Sequence, residues 1–553
     1  MRTVLIDNYD SFTYILAHLI AEALGPAPDV FYNDEITWDQ LAASNYDAVI
    51  ISPGPGHPEK VNDFGICERI VKEFEGPILG VCLGHQGIAH HAGATVGLAP
   101  TPVHGRTSEV CHNGTGLFKN LPPNFEVVRY HSLLVNEAGP DIEITAWTPD
   151  GLAMGLRHKS KPQWGVQFHP ESICSENGVE IIRNFRELAS AYVARPAKVT
   201  QTLSSDESIS EPPSVKPRLF DKKGPLKLFW REIANWVDPE ECFSQIFAES
   251  ADAFWLDGTQ TAHGMGRYSY MGDTTGPHSE LIAYDVRDQE LQIDDHSGSR
   301  VENTSLFDYL NNRLEKLGMQ QPAGYQPPFV GGYAGYFGYE LKEDCGAARG
   351  ARSPHPDARL IFADRFIAFD NLEKRMWVAC LDEPANVERA KGWLTGVISC
   401  LEGIRQITPP DPTSVSPMVF RPNQSRQEYA NRIRQAKHEI RHGETYEVCL
   451  TNEFVAHGSP DPLNAYRLFR RKNPAPYASY LKFNNSAVLS CSPERFIKID
   501  HQGVVESKPI KGTAKRGTTK EEDIQISEAL RNSEKDRSEN LMIVDLLRND
   551  LAR

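Results

Sequence analysis

Strand-like and helix-like patterns alternate over the first 193 residues. Thr3–Ile6, Ala48–Ser52 and Ile78–Val81 are short, β-branched apolar runs, each ending in loop residues. This alternation predicts a mainly parallel α/β domain, whose functional groups gather at the carboxyl ends of strands. Two such ends stand out. In Ser52-Pro53-Gly54-Pro55-Gly56-His57-Pro58 the prolines stiffen a loop whose glycines leave amide N–H groups free to point at a ligand. In Pro77-Ile78-Leu79-Gly80-Val81-Cys82-Leu83-Gly84-His85-Gln86 an apolar strand reaches a cysteine between glycines, and a helical pattern follows at once.

Further on, the pattern breaks twice. From 194 to 225 neither a period of 2 nor one of 3.6 survives, and Ser204-Ser205-Asp206-Glu207-Ser208 and Glu211-Pro212-Pro213 carry little apolar content. A flexible linker is predicted there. A second break, Thr408-Pro409-Pro410-Asp411-Pro412, divides the remainder into 226–405 and 420–553. Ser538–Asn549 reads as a helix or buried strand still in progress near Arg553, with no Gly or Pro stop signal. A chain cut short at that point is the expectation.

Composition narrows the class. At 553 residues, two or more domains are expected. The net charge of -16 argues against a nucleic-acid coat or a membrane-surface binder, so an anionic substrate needs a local basic cluster. Ten scattered cysteines with no CxxC pair fit reduced thiols rather than a disulfide framework or a zinc module. The opening reads directly as a strand, and no apolar run approaches bilayer length, which predicts a cytoplasmic protein.

The glycines around Cys82 let the backbone turn sharply, lift the thiol above the sheet and set it at a helix N-terminus, where the dipole favours thiolate. A nucleophilic cysteine needs a base and a group to orient it. Both occur in Gln167-Phe168-His169-Pro170-Glu171-Ser172, where a period of two puts His169 and Glu171 on one face. A lone free cysteine is commonly a small buried hydrophobe; the specificity lies in the combination of elbow, PGPG loop and HPES. With these residues the chain resembles the class I, triad glutamine amidotransferases. The resemblance implies attack by Cys82 on the glutamine side-chain amide, proton transfer by His169 and orientation by Glu171. It also implies an oxyanion hole from the amides of Gly56 and Leu83, and glutamine held by Gly54, Gln86, Ser132 and Leu133. The opening Asp7-Asn8-Tyr9-Asp10-Ser11-Phe12-Thr13-Tyr14 matches that family, which usually continues with asparagine where Ile15 stands; an apolar residue there is expected to repack a helix face.

The remaining two-thirds is expected to consume the ammonia. Four of the nine residues from Lys508 to Arg516 are basic and none is acidic, which suits an anionic small molecule. Like charges are expected to depress the pKa of the most buried lysine. Gly266-Arg267-Tyr268-Ser269-Tyr270, the run Gly331–Glu340, Asn473-Pro474-Ala475-Pro476-Tyr477, Ser492-Pro493-Glu494-Arg495-Phe496 and Glu539–Asp550 follow in order. As an ordered set they resemble the chorismate-converting synthases of the anthranilate and para-aminobenzoate type. In that family lysine at the position of Lys511 marks the aminodeoxychorismate branch, and a glutaminase-first fusion points the same way.

The resemblance to bifunctional aminodeoxychorismate synthases implies a flavodoxin-like α/β glutaminase domain (1–193) followed by an α+β synthase domain incomplete at its C-terminus. The substrates implied are L-glutamine and chorismate, with a downstream aminodeoxychorismate lyase in the pathway and a monomer by virtue of the fusion. It implies covalent participation by Lys511, proton transfer by Glu494, substrate contact by Thr513, and Mg²⁺ held by Glu539 with help from Asp536. The family commonly has glutamate at the Asp536 position. Two other readings stay open: an anthranilate synthase, and a truncated chain keeping only glutaminase or binding function.

Overall fold

A computed structural model describes residues 1–193, 224–259, 261, 264–411 and 418–553. Apart from Gly224 and Pro225, the expected linker lies outside the described residues. The chain divides into two compact units, one from the described parts of Met1–Ser208, Phe420–Val455 and Pro509–Arg553, the other from those of Ile209–Val419 and Ala456–Lys508. The stretch 420–553 is therefore shared between them. No helix among the described residues is long and apolar enough to cross a membrane.

The first unit is built on nine strands: β1 (Thr3–Asp7), β2 (Asp29–Tyr32), β3 (Ala48–Ile51), β4 (Ile78–Val81), β5 (Thr95–His112), β6 (Asn124–Glu137), β7 (Ile142–Trp147), β8 (Ala153–His158) and β9 (Gln163–Val166). Their order is β2-β1-β3-β4-β9-β8-β7-β5-β6. Only the first five are parallel to one another; from β9 onward the neighbours are antiparallel. The parallel half matches the sequence expectation, and β1, β3 and β4 are buried along their whole length, as strands covered on both faces should be. In the antiparallel half, β5 mixes exposed and buried positions and pairs with β6 through several register shifts.

Two later helices pack on this sheet domain. Arg426–His442 opens with a Ser425/Glu428 capping box and ends at Gly443 in the left-handed region. Glu534–Ala552 opens on Ser533 and buries Met542, Asp545 and Asn549, spaced three and four residues apart on one face. Met542, with Leu541 and Leu546, packs against Phe12, Ile15, Val128 and Tyr130. Burying a side chain of that size is worth about 2 kcal/mol. Ile15 thus repacks a helix face, as its apolar character foretold. Asn549 adds a hydrogen bond at 2.8 Å from the Tyr14 amide, capping the start of the Thr13–Leu24 helix.

The second unit holds a seven-stranded and a five-stranded sheet, both antiparallel, with helices Pro239–Ile246, Leu306–Leu317, Val387–Glu402 and Pro462–Lys472. Trp255 and Trp377 lie fully buried in its two largest apolar clusters. This is an α+β unit.

Candidate active sites

β4 delivers the chain to Cys82 at φ 51°, ψ -99°, and the helix Leu83–His91 begins at the next residue. A Cβ on Gly80 would overlap the backbone of Gly84, and one on Gly84 would meet the Ile51 carbonyl oxygen at 2.5 Å. Only glycine fits at both positions, so the sequence forces the elbow that raises Cys82.

His169 and Glu171 meet as expected, by a different local route. His169 is a single bridge to Val128 within β6, and Glu171 follows in the turn after it, so no strand period is involved. His169 Nδ1 and Glu171 Oε1 are 2.6 Å apart, with both side chains fully buried. Burial opposes a charge on this ring, but Glu171 and the Cys82 thiol outweigh it and hold its pKa well above the ordinary range. Phe12 and Tyr130 fix the ring from two sides, each at 5.1 Å and near-perpendicular.

Gly54, Gly56, Gln86, Ser132 and Leu133 all line the Cys82 cavity, and Leu83 is buried beside them. Gln86 Nε2 donates to the Leu133 carbonyl at 3.0 Å and to Gln167 Oε1 at 3.1 Å. Two expected ligand contacts are already engaged. The Gly56 amide donates to the Gly443 carbonyl at 2.9 Å, and Ser132 Oγ donates to the Ile440 carbonyl at 2.6 Å. The loop after the Arg426–His442 helix thus sits over the site. Its Tyr446 hydroxyl donates to Asp10 Oδ1 at 2.7 Å, and burial pushes the Asp10 carboxyl up to about 6.

Lys511 lies in the same unit, paired with Glu447 at 2.9 Å. That hydrogen bond raises its pKa. The expected depression by neighbouring basic residues is overturned, because the basic cluster carries its own counter-charges: Lys508 pairs with Glu506 at 3.1 Å and Arg516 with Asp523 at 2.6 Å. Glu539 lines a cavity with Glu447 and is paired with Lys535 at 3.3 Å, while a side chain on Gly512 would run into the Asp536 carboxylate. Among the described residues no group of three or more His, Cys, Asp or Glu is placed to hold a metal. The fit to Mg²⁺ rests on oxygen donors alone, since that ion is commonly bound through one or two carboxylates plus water and substrate oxygens. Thr513 is exposed, two residues past Lys511. Glu494 is exposed and belongs to the second unit, where its amide bonds to Ser492 Oγ at 3.2 Å.

Sequence reasoning missed Asp545. It is fully buried and accepts hydrogen bonds from the Tyr130 hydroxyl at 2.9 Å, the Ile173 amide at 3.1 Å and the Ser172 hydroxyl. Arg548 pairs with it at 2.8 Å and also donates to the Glu171 carbonyl at 3.2 Å. A lone acid within the apolar run Leu541–Leu547 was the available signal, since a buried carboxylate needs partners. Tyr446, Glu447 and His104 left no such mark.

Residues 4–188 match the family model for class-I glutamine amidotransferases, and residues 253–553 match that for chorismate binding enzymes. The whole chain is 42% identical to an aminodeoxychorismate synthase of Streptomyces pristinaespiralis, over 78% of that protein. It is 32% identical to a chloroplastic aminodeoxychorismate synthase of Arabidopsis thaliana, over 75% of that protein. A third of the chain is 46% identical to anthranilate synthase component 2 of Methanothermobacter marburgensis, covering 96% of it. With both component families matched in order and full-chain relatives at this identity, the chain belongs to the aminodeoxychorismate synthase family.

Proposed function

We propose that this chain transfers the side-chain nitrogen of glutamine to C4 of chorismate, giving 4-amino-4-deoxychorismate and glutamate. The observation that carries the reading is that one compact unit holds both the Cys82–His169–Glu171 set and the Lys511–Glu447 pair.

At the first site Cys82 Sγ attacks the side-chain carbonyl of glutamine. His169 takes the thiol proton and gives it to the departing nitrogen, so ammonia leaves and a thioester remains; water then releases glutamate and restores the thiol. Glu171 holds Nδ1 and stabilises the imidazolium. The amides of Gly56 and Leu83 take the developing oxyanion, which requires Gly56 to exchange its Gly443 partner for substrate. Gly54, Gln86, Ser132 and Leu133 shape the glutamine pocket.

At the second site the Lys511 amine adds to C2 of the ring as the C4 hydroxyl departs. Ammonia then enters at C4, and the C2–lysine bond breaks. Lysine must first lose its proton, and Glu447 is the adjacent acceptor. Glu494 assists proton transfer, Thr513 contacts substrate, and Glu539 with Asp536 would hold Mg²⁺, which would neutralise a substrate carboxylate. The reading includes a glutaminase domain over 1–193, synthase segments over 226–405 and 420–553, a cytoplasmic monomer, and a lyase that consumes the product. Its test is chorismate supplied without an ammonia source: peptide mass spectrometry should find the ring on Lys511. Amination at an undiminished ammonium-driven rate by Lys511→Ala contradicts the covalent role.

A further inference from the structure

The cavity beside Cys82 is small, about 20 Å³, enough for roughly one water-sized molecule. A wider cavity of about 460 Å³ is lined by Glu447, Lys535 and Glu539, and Glu447 holds Lys511. His104 and Tyr446 line both cavities. Their rings meet edge to face, with centroids 5.7 Å apart and planes at 71°. Where these two cavities share a wall, that wall includes two side chains, whose rotation would leave the sheet intact.

The hydrogen bonds around the rings settle the state of His104. Ser132 has one hydroxyl hydrogen, and it is donated to the Ile440 carbonyl at 2.6 Å. His104 Nε2, 3.2 Å from the same hydroxyl oxygen, must therefore be the donor there. The neutral ring then carries its hydrogen on Nε2 and a bare lone pair on Nδ1. Burial pulls the His104 pKa down to about 4, so the ring stays neutral at pH 7 and does not convert a passing base into its cation. Tyr446 is tied through its hydroxyl to Asp10, which anchors the other half of the wall.

We propose that His104 and Tyr446 form the gate through which ammonia passes from the Cys82 cavity to the cavity holding Glu447 and Glu539. The proposal rests on the function proposed above. Ammonia is a single heavy atom and uncharged, so it crosses an opening that retains glutamine, its thioester and glutamate. The Nδ1 lone pair offers a hydrogen-bond acceptor along the way, and the small cavity has room for little more than one such molecule at a time.

The test supplies the full chain with chorismate, Mg²⁺, amide-15N glutamine and excess unlabelled ammonium chloride, and reads the 15N fraction of the aminated product. In the wild type the product should stay enriched over bulk ammonium. His104→Trp, which fills the gate, should lower that enrichment by roughly fivefold or more while ammonium-driven amination continues. If that variant does not fold, His104→Tyr serves in its place, with at least a roughly twofold fall expected. Wild-type enrichment in a folded variant overturns the gate, as does a wild-type product with no enrichment. Failure of the wild type to aminate chorismate from either nitrogen source instead sinks the function on which the gate rests.

Discussion

The backbone amide of Gly56 donates to the carbonyl of Gly443 at 2.9 Å, across 387 positions of sequence. The donor expected to meet the glutamine carbonyl is thereby held by a loop that also carries Tyr446 over the triad and Glu447 against Lys511. Five residues, Gly443 to Glu447, carry all three contacts, so a shift of this loop at one site would be felt at the other.

Loosening that loop should raise idle hydrolysis. Lys60 and Glu444 form a half-exposed ion pair at 2.7 Å that helps hold it. Exposed pairs contribute about 0 to 1 kcal/mol, so Lys60→Ala should raise chorismate-free glutamate release by no more than roughly fivefold. A lower rate contradicts a restraining role for this loop.

Asp545 should matter to the first site although it never touches glutamine. Its carboxylate ties Tyr130, Ser172 and Ile173 around His169 and Glu171. Asp545→Asn keeps the shape and removes the charge, and losing hydrogen bonds to a buried charged group costs about 1.5–3 kcal/mol. Glutamine-driven amination should fall roughly tenfold to a hundredfold, with a much smaller loss when ammonium is supplied. Equal losses with both nitrogen sources would mean that Asp545 acts on the fold as a whole.

His85 should make the glutaminase fold acid-labile. It is fully buried, and burial lowers its pKa to about 4. Above the ordinary value of 6.5 the folded and unfolded rings are both neutral and the full stability is present. As pH falls below that value the unfolded chain binds a proton that the folded chain refuses, and stability is lost until about pH 4, by about 3 kcal/mol. His85→Leu should reduce the drop in urea midpoint between pH 7 and pH 4; a drop of unchanged size counts against this assignment.

Magnesium dependence should separate the two chemistries. Glu539→Gln preserves the helix face and removes the charge, so half-saturation by Mg²⁺ in amination should rise by roughly tenfold or more. Glutamate release without chorismate should not respond to the metal. A Mg²⁺ requirement unchanged in this variant removes Glu539 from the metal site.

What was legible in the sequence follows from how local the physics is. Gly80 and Gly84 fix the Cys82 elbow within five residues, so the turn could be read directly. His169 and Glu171 were read as a pair, yet through a strand period that the chain does not use; a bridge and a turn bring the two side chains together. The expected depression of the Lys511 pKa fails because the counter-charge Glu447 lies 64 positions away. Asp545 and Tyr130 are 415 positions apart, and no local periodicity reports such a bond. The same limit applies to residues 420–553: membership of a compact unit depends on long-range packing such as Met542 against Phe12 and Tyr130, which a local break in pattern does not report.

The most direct measurement follows the nitrogen itself. With chorismate, Mg²⁺ and amide-15N glutamine as sole nitrogen source, mass spectrometry should find the label in a product that has exchanged the C4 hydroxyl for an amine. Cys82→Ala should abolish that product, and added ammonium should restore it. Labelled anthranilate in its place, or labelled product that survives loss of the Cys82 thiol, contradicts the account.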